Sequence, residues 1–150
     1  ILDVGAGLGC SRARLAVHGN QVMTHDVAPN LPVDLRCSLE RIHSGFVDIV
    51  TAFDVIEHVV DDEAFLAHLV RIARECVVFT TPNYDVSFCA NPAHCREYTP
   101  PELVQLVSPY LVETFLAADA PFHAVECLAV ERFLAHLSEG HGAVLSVGAP

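Results

Sequence analysis

Two carboxylates and one imidazole stand close together at Asp54, Glu57 and His58. If residues 54–58 form a helical turn, the i, i+3 and i+4 spacing brings all three side chains to one face. Such oxygen and nitrogen ligands suit a divalent ion with open positions, which can hold vicinal hydroxyls of a substrate and lower the pKa of an attacking oxygen. Without a metal, His58 is the first candidate for a general base, because the imidazole pKa is near neutral. A third interpretation stays open, in which Glu57 and His58 only orient a cofactor or form a hydrogen-bonded pair.

A glycine-rich turn is the second informative feature. The sequence DVGAGLG starts at Asp3, follows a strand pattern and opens a helix pattern, which is where α/β sheets bind nucleotides. The glycines are spaced G-x-G-x-G, and Cys10 stands where a dinucleotide fingerprint needs a small residue, so the spacing is wrong for NAD. The Asp3 carboxylate would repel a pyrophosphate but attract the ammonium of an amino-acid-bearing nucleoside. S-adenosylmethionine carries that ammonium and no phosphate.

Asp26 follows Gly9 by 17 residues and ends a predicted second strand. An acid at this place can accept hydrogen bonds from both hydroxyls of a ribose. The intervening residues fit a helix, a glycine stop and a strand, so the turn and the acid lie in one βαβ unit.

Short apolar runs alternate with amphipathic segments, which predicts an α/β domain with a mainly parallel sheet. We expect strands at 1–4, 21–26, 46–53 and 76–80, a weaker strand at 33–37, and helices at 10–18, from 61 to about 74 and from 99 to about 109. The last helix has Thr99 as N-cap, proline at N1 and Glu102 at N3. Residues 111–116 and 124–130 are predicted to form a closing antiparallel hairpin, and the small-residue-rich stretch 138–150 a flexible tail.

Four segments, DVGAGLG, LAVHGNQVMTHD, DIVTAFDVIEHV and VVFTTPNY, resemble the class I S-adenosylmethionine-dependent methyltransferases in their order and spacing. The resemblance covers residues 1 to about 130. It implies a Rossmann-like, doubly wound α/β fold with seven strands, of which the last is antiparallel, and a cofactor over the carboxyl ends of the first strands. By position it implies the following cofactor contacts: Asp3, Gly5, Ala6 and Gly7 around the methionine part, Asp26 and Val27 around the ribose, and Phe53 and Asp54 at the end of the strand 46–53. The residue that contacts adenine stays unassigned.

The spacing of Asp54, Glu57 and His58 is similar to the E-x-x-E-H motif of metal-using methyltransferases of quinone biosynthesis and of small-RNA 3′-terminal ribose 2′-O-methyltransferases, with aspartate in place of the first glutamate. The segments TPNY from Thr81 and HCREYT from His94 resemble the substrate-side loop of the same broad family. His94 is therefore a candidate fourth ligand. The resemblance leaves open both a divalent-metal site and a site without metal in which His58 is the catalytic base.

The composition indicates one globular domain, with 52% hydrophobic and 18% charged residues in a chain of 150. A formal charge of −11 repels phosphate backbones and anionic lipid surfaces, so nucleic acid is a disfavoured partner. No apolar run approaches the ~20 residues of a spanning helix, so we expect no membrane partner. Six cysteines without a CxxC pair fit reduced thiols in a cytoplasmic protein.

Because the sequence begins within a strand pattern, we expect a methyltransferase domain at 1–137 that lacks its N-terminal cap.

These features together predict methyl transfer from S-adenosylmethionine to an oxygen, nitrogen or carbon of a small molecule. One alternative is metal-assisted methylation of an RNA 3′-terminal ribose, which the charge weakens. Another is a non-catalytic cofactor-binding domain. The acceptor and the oligomeric state stay open.

Overall fold

The computed structural model describes residues 1–110, 112–116 and 144–149. The described strands are β1 (Leu2–Val4), β2 (Met23–His25), β3 (Val47–Phe53), β4 (Ala73–Pro82), β5 (Val112–Leu116) and β6 (Val144–Ala149). The described α-helices are α1 (Arg12–Leu15), α2 (Asp62–Ile72), α3 (Tyr84–Ser87) and α4 (Pro100–Val107), and short 3-10 helices span Val17–Gly19, Leu39–Arg41 and Ile56–His58. The strands form one sheet in the order β2-β1-β3-β4-β6-β5.

The strands near the middle of the sheet are buried because a parallel sheet is covered on both faces. In β3, Asp48 is the exposed position and four successive residues from Ile49 to Ala52 are buried. Val77, Val78 and Phe79 of β4 are likewise buried. These continuous apolar runs explain why β3 and β4 are readable from sequence, and their carboxyl ends lead into the candidate site.

Helix α2 packs its apolar stripe against this core. Phe65, Leu66, Leu69 and Ile72 are buried at helical spacing. The helix begins after Asp61, whose side chain accepts a hydrogen bond from the Ala64 N–H at 3.0 Å. Asp61 is therefore the N-cap of α2.

Helix α4 begins with the predicted capping box. The backbone N–H of Thr99 donates to Glu102 Oε2 at 2.9 Å, and the Thr99 hydroxyl donates to the same oxygen at 2.7 Å. This capping box, with proline at the first helical positions, confirms the predicted helix start.

The predicted antiparallel hairpin is wrong for its first arm. Strand β5 forms as expected, but it pairs in parallel with β6, and β6 also pairs in parallel with β4. The second predicted arm, 124–130, lies outside the described residues. Every pair of neighbouring described strands is parallel, so the mixed sheet with an antiparallel last strand is not found there. Strand direction depends on what lies between two strands, which local patterns do not encode.

Two smaller differences concern weak patterns. Residues 33–37 form no strand, and only Leu35 makes an isolated parallel bridge with His25. Pro32 and the neighbouring charges leave too little regular backbone for a longer ladder. Residues 144–149 of the predicted tail form β6, so this part of 138–150 is sheet.

No helix within the described residues combines the length and the apolar character that crossing a bilayer requires.

Candidate functional site

The glycine turn after β1 is shaped by close packing. Gly5 has φ +69°, and a Cβ at this residue would lie 2.5 Å from Cγ2 of Val55, which is closer than side chains can approach. Gly7 has φ +54° and donates its N–H to Asp26 Oδ2 at 3.1 Å. Asp26 Oδ1 accepts from the N–H of Ala28 at 2.9 Å, so two backbone donors hold this carboxylate at the end of β2. The turn and the acid are therefore joined, as the βαβ pattern predicts.

Asp3 occupies a different place from the other predicted cofactor residues. It is 1% exposed, and its Oδ1 accepts from the hydroxyl of Thr51 at 2.7 Å while its Oδ2 accepts from the hydroxyl of Ser11. Burial raises the pKa of Asp3, and the two hydroxyl bonds oppose that rise. The carboxylate thus ties β1 to β3 and to the start of α1, and it does not line the cavity described next.

A cavity of about 670 Å³ opens at the carboxyl ends of the first strands. Its polar wall includes the four carboxylates of Asp26, Glu40, Asp54 and Asp61. No arginine of the described residues lines it, and the chain contains no lysine. The wall therefore favours a neutral or cationic ligand over a phosphate-bearing one. The other lining residues are Val4, Gly5, His25, Val27, Ser38, Leu39, Val55, His58, Val59, Ala64, Phe65 and His68.

Asp54 enters this wall in a constrained conformation. Its φ is +52°, a left-handed value that side chains other than glycine rarely adopt. Its N–H donates to the carbonyl oxygen of Thr80 at 3.1 Å, and the Thr80 hydroxyl donates to Asp54 Oδ1 at 2.9 Å. Burial raises the pKa of Asp54, against the effects of the Thr80 hydrogen bond and of nearby imidazoles. Phe53, the preceding residue, ends β3 and does not line the cavity.

The helical turn considered for residues 54–58 does not form over its first two residues. The 3-10 helix begins at Ile56, after the left-handed Asp54, so Asp54 does not share a helix face with Glu57 and His58. The group of described residues able to hold a metal is instead Glu57, His58 and His94, whose ligand atoms lie within 4.8 Å of one another. Three of the four predicted metal ligands are thus brought together.

Glu57 is the buried member of that group. It is 0% exposed, and its Oε2 accepts from the Thr81 hydroxyl at 3.2 Å. Its Oε1 has no hydrogen-bond partner among the described residues. Burial, reinforced by the negative charge of Asp54, raises the pKa of Glu57 to about 8. A buried carboxylate oxygen without a donor is a good ligand for a cation and an expensive group to leave unpaired.

His58 and His94 complete the group, and of these two only His58 is among the residues that line the cavity. Their rings meet edge to face, with centroids 4.8 Å apart. His58 Nδ1 lies 3.0 Å from the carbonyl oxygen of Ala93, and the His58 side chain lines the cavity. His94 Nδ1 lies 2.5 Å from Oε1 of Glu97.

The fold of this chain, but not its sequence, is similar to that of a known protein. No protein-family model matches the sequence, and no curated protein matches it significantly. The fold matches the crystal structure of a SAM-dependent methyltransferase from Archaeoglobus fulgidus, with a TM-score of 0.60 at 15% identity, over 92% of this chain and 77% of that chain. The fold is that of a class I methyltransferase.

The predicted cofactor residues fall into two groups according to whether they line the cavity. Of the predicted cofactor residues, Gly5, Asp26, Val27 and Asp54 line the cavity, whereas Asp3, Ala6, Gly7 and Phe53 do not. Ala6 and Gly7 belong to the turn that bonds β2, since the Ala6 N–H donates to the His25 carbonyl oxygen at 3.0 Å. Their backbone N–H groups hold the His25 carbonyl oxygen and the Asp26 carboxylate, and both of those residues line the cavity.

Several residues of this methyltransferase-fold site were missed by sequence reasoning. Thr51 and Thr80 are buried hydroxyls within apolar strands, and each binds a site carboxylate. The sequence signal for these two contacts was a polar residue inside an otherwise apolar strand, because a buried hydroxyl needs a hydrogen-bond partner. Glu97 follows His94 at i+3 in the segment HCREYT, and that spacing was the only signal for its contact with the imidazole.

Proposed function

We propose that this chain transfers a methyl group from S-adenosylmethionine to an oxygen, nitrogen or carbon nucleophile of a small molecule. The observation that supports this most is the cavity of about 670 Å³ that combines the Gly5 turn with the backbone-held Asp26 carboxylate. A cavity at the carboxyl edge of a parallel sheet is the general ligand site of open α/β folds.

The residues present fit S-adenosylmethionine better than a dinucleotide. The cavity wall is acidic, and this cofactor carries a sulfonium and an ammonium without phosphate. Asp26 would accept from the ribose hydroxyls with Val27 beside it, the turn at Gly5, Ala6 and Gly7 would border the methionine part, and Asp54 would border the reacting end. Asp3 would hold the strand before the turn in place through its bonds to Ser11 and Thr51. Phe53 would end β3 next to Asp54 without touching the cofactor.

Bound S-adenosylmethionine supplies an activated methyl group, so the chain has to align the acceptor and accept its proton. His58 is the proposed general base. The carbonyl of Ala93 accepts a hydrogen bond from His58 Nδ1, which leaves Nε2 unprotonated on a side chain that lines the cavity. A nitrogen in that state takes a proton from an acceptor hydroxyl or amine within reach.

A second candidate function rests on the group of Glu57, His58 and His94. The unpartnered Glu57 Oε1 and the His58 ring fit two ligand positions of a divalent ion, with Asp54 beside them. His94 would join them by giving up the hydrogen bond that its Nε2 accepts from Asn91. Such an ion would supply Lewis-acid chemistry toward acceptor hydroxyls, which is the requirement for metal-assisted 2′-O-methylation of an RNA 3′ end. The acidic cavity and the charge of −11 disfavour an RNA partner. A cofactor-binding domain without turnover is the remaining alternative.

We also propose a cytoplasmic location. The five described cysteines are free thiols, and three of them, Cys10, Cys89 and Cys95, are exposed. Exposed free thiols are typical of a reducing compartment.

Calorimetric titration with S-adenosylhomocysteine tests the cofactor class. We expect the unaltered chain to bind and Asp26→Ala to lose at least about tenfold in affinity, since it removes two charge-assisted acceptors. Glu63→Ala, an exposed acid on α2 outside the cavity lining, is the matched control and should bind normally. No binding by the unaltered chain, or equal binding by Asp26→Ala, would contradict the proposal. The same titration in the presence of a chelator tests whether a divalent metal contributes to binding: a change in affinity would indicate that it does.

A further inference from the structure

The carboxyl group of Glu97 gathers the loop between α3 and α4. Glu97 is 6% exposed. Its Oε2 accepts from the Cys89 N–H at 2.9 Å and from the Ser87 hydroxyl, and its Oε1 faces Nδ1 of His94 at 2.5 Å. Three donors from three places in the loop therefore converge on one buried carboxylate.

The position of the proton on His94 follows from its second neighbour. Asn91 Oδ1 accepts from the Ala93 N–H at 3.0 Å, which fixes the amide so that Nδ2 faces His94 Nε2 at 2.9 Å. Because an amide nitrogen only donates, Nε2 accepts. His94 consequently carries its proton on Nδ1 and donates it to Glu97.

The same loop determines the proton position on His58. The Ala93 carbonyl, which lies between Asn91 and His94 in the chain, can only accept, so His58 Nδ1 donates to it at 3.0 Å. His58 Nε2 has no hydrogen-bond partner among residues 1–110. The loop is also tied to the 3-10 helix that carries His58, because the Cys95 N–H donates to the Glu57 carbonyl oxygen at 2.7 Å.

We propose that Glu97 is a positioning residue: through His94 and the loop 87–95 it keeps His58 protonated on Nδ1, with the lone pair of Nε2 free. The proposal rests on the proposed function for its purpose, since a base or a metal ligand needs that lone pair. Carboxylates that orient imidazoles in this way serve both uses. The structural claim about Glu97 can be tested without a methyl acceptor.

Glu97→Gln tests the proposal by leaving a donor where only acceptors fit. If the new amide turns its NH₂ to His94, the imidazole proton must move to Nε2, where it opposes the NH₂ of Asn91. If the NH₂ turns the other way, it opposes the Cys89 N–H. Either arrangement leaves one pair of donors facing each other.

Asn91→Asp supplies the matching repair. In the double variant Glu97→Gln with Asn91→Asp, an acceptor faces His94 Nε2–H, and every hydrogen bond of the loop can form with the His94 proton moved. We expect the opposed donors in Glu97→Gln to displace the Ala93 carbonyl from His58 Nδ1. In the double variant this carbonyl should return to its place beside His58.

The measurement is ¹⁵N NMR of the imidazoles in the full chain saturated with S-adenosylhomocysteine and free of metal, at a pH where both rings are neutral. His58→Gln and His94→Gln assign the signals. We expect His58 to be protonated on Nδ1 in the unaltered chain, to become a mixture of both tautomers in Glu97→Gln, and to return to Nδ1 in the double variant. Affinity for S-adenosylhomocysteine should not change.

Two results would overturn the proposal. One is a Glu97→Gln protein that melts at a lower temperature while its His58 signals stay unchanged, which would make Glu97 purely structural. The other is a double variant in which His58 stays mixed. If Glu97→Gln does not fold, Glu97→Asp, which keeps the charge but retracts it by one methylene, should give the same mixture. Loss of S-adenosylhomocysteine binding by the unaltered chain would count against the proposed function, whereas the tautomers in the unliganded protein would still test Glu97.

Discussion

Gly5 and Val55 pack so closely that the first residue of the glycine turn has no room for a side chain. The two segments come from the ends of β1 and β3, and a Cβ on Gly5 would lie 2.5 Å from Cγ2 and 2.9 Å from Cγ1 of Val55. Both residues line the cavity. The contact therefore joins the glycine turn at the cavity to the segment that leads into Glu57 and His58.

The first prediction concerns this contact. Gly5→Ala should weaken S-adenosylhomocysteine binding and reduce the free energy of unfolding by about 2–4 kcal/mol, the sum of overpacking and a left-handed backbone. Calorimetry and urea unfolding measure the two effects. Gly19→Ala is the control, since Gly19 has φ +84° but nothing within 4 Å of an added Cβ. Adding Val55→Ala to Gly5→Ala should recover part of the loss, and no recovery would show that the clash is not the cause.

The second prediction separates the two aspartates of the turn. Asp3→Ala should lower the free energy of unfolding by about 2–4 kcal/mol, because it leaves the hydroxyls of Ser11 and Thr51 without their acceptor inside the protein. Asp3→Asn keeps an acceptor and should cost less. Asp26→Ala should cost less stability than Asp3→Ala, because water can replace the acceptor of the Gly7 and Ala28 N–H groups at this partly buried position, but it should weaken binding strongly. Urea unfolding compares the three variants, and equal stability of Asp3→Ala and the unaltered chain would contradict a structural role for Asp3.

The third prediction is a pH dependence of stability. Burial raises the pKa of Glu57 from 4.5 to about 8, so the folded state binds more protons than the unfolded state between these values. Stability should therefore fall as pH rises through this window and level off above it, by at most roughly 4–5 kcal/mol. Glu57→Gln should remove this part of the slope. Urea unfolding at several pH values, in the presence of a chelator, provides the comparison.

The control for the third prediction is Glu63→Gln, an exposed acid on α2. It should keep the slope of the unaltered chain. A Glu57→Gln protein with an unchanged slope would show that other carboxyls carry the pH dependence.

The fourth prediction concerns transfer itself. His58→Ala should lower methyl transfer from labelled S-adenosylmethionine into a pool of small metabolites by about 10²-fold or more, while leaving S-adenosylhomocysteine binding intact. His43→Ala is the matched control, because His43 is an exposed imidazole that packs on Phe46 away from the cavity. An unchanged rate in His58→Ala would eliminate both proposed roles of this residue.

A chelator distinguishes the two candidate functions in the same assay. Without a metal, transfer should persist in its presence. With a metal held by Glu57, His58 and His94, the chelator should abolish transfer, added divalent ion should restore it, and His94→Ala should be as damaging as His58→Ala.

The features that were readable from the sequence depend on residues close together in the chain. The caps at Asp61 and Thr99 each bond a residue three positions on. The Thr99 cap is present as predicted, whereas Asp61 was expected in the first turn of its helix and instead caps it. The apolar runs of β3 and β4 and the spacing from the glycine turn to Asp26 likewise depend on local periodicity and turn chemistry. These patterns were sufficient to predict the fold class and the end of the sheet at which the cavity opens.

Only the tertiary structure decided which side chains meet. Asp3 and Thr51 are 48 residues apart, His58 and Ala93 are 35 apart, and Asp54 and Thr80 are 26 apart. No local preference encodes such contacts, because they depend on strand order and on the path of each loop. For the same reason the parallel pairing of β5 with β6, the burial of Asp3 and the exclusion of Asp54 from the helical turn were not predicted: each is decided by packing between segments distant in sequence.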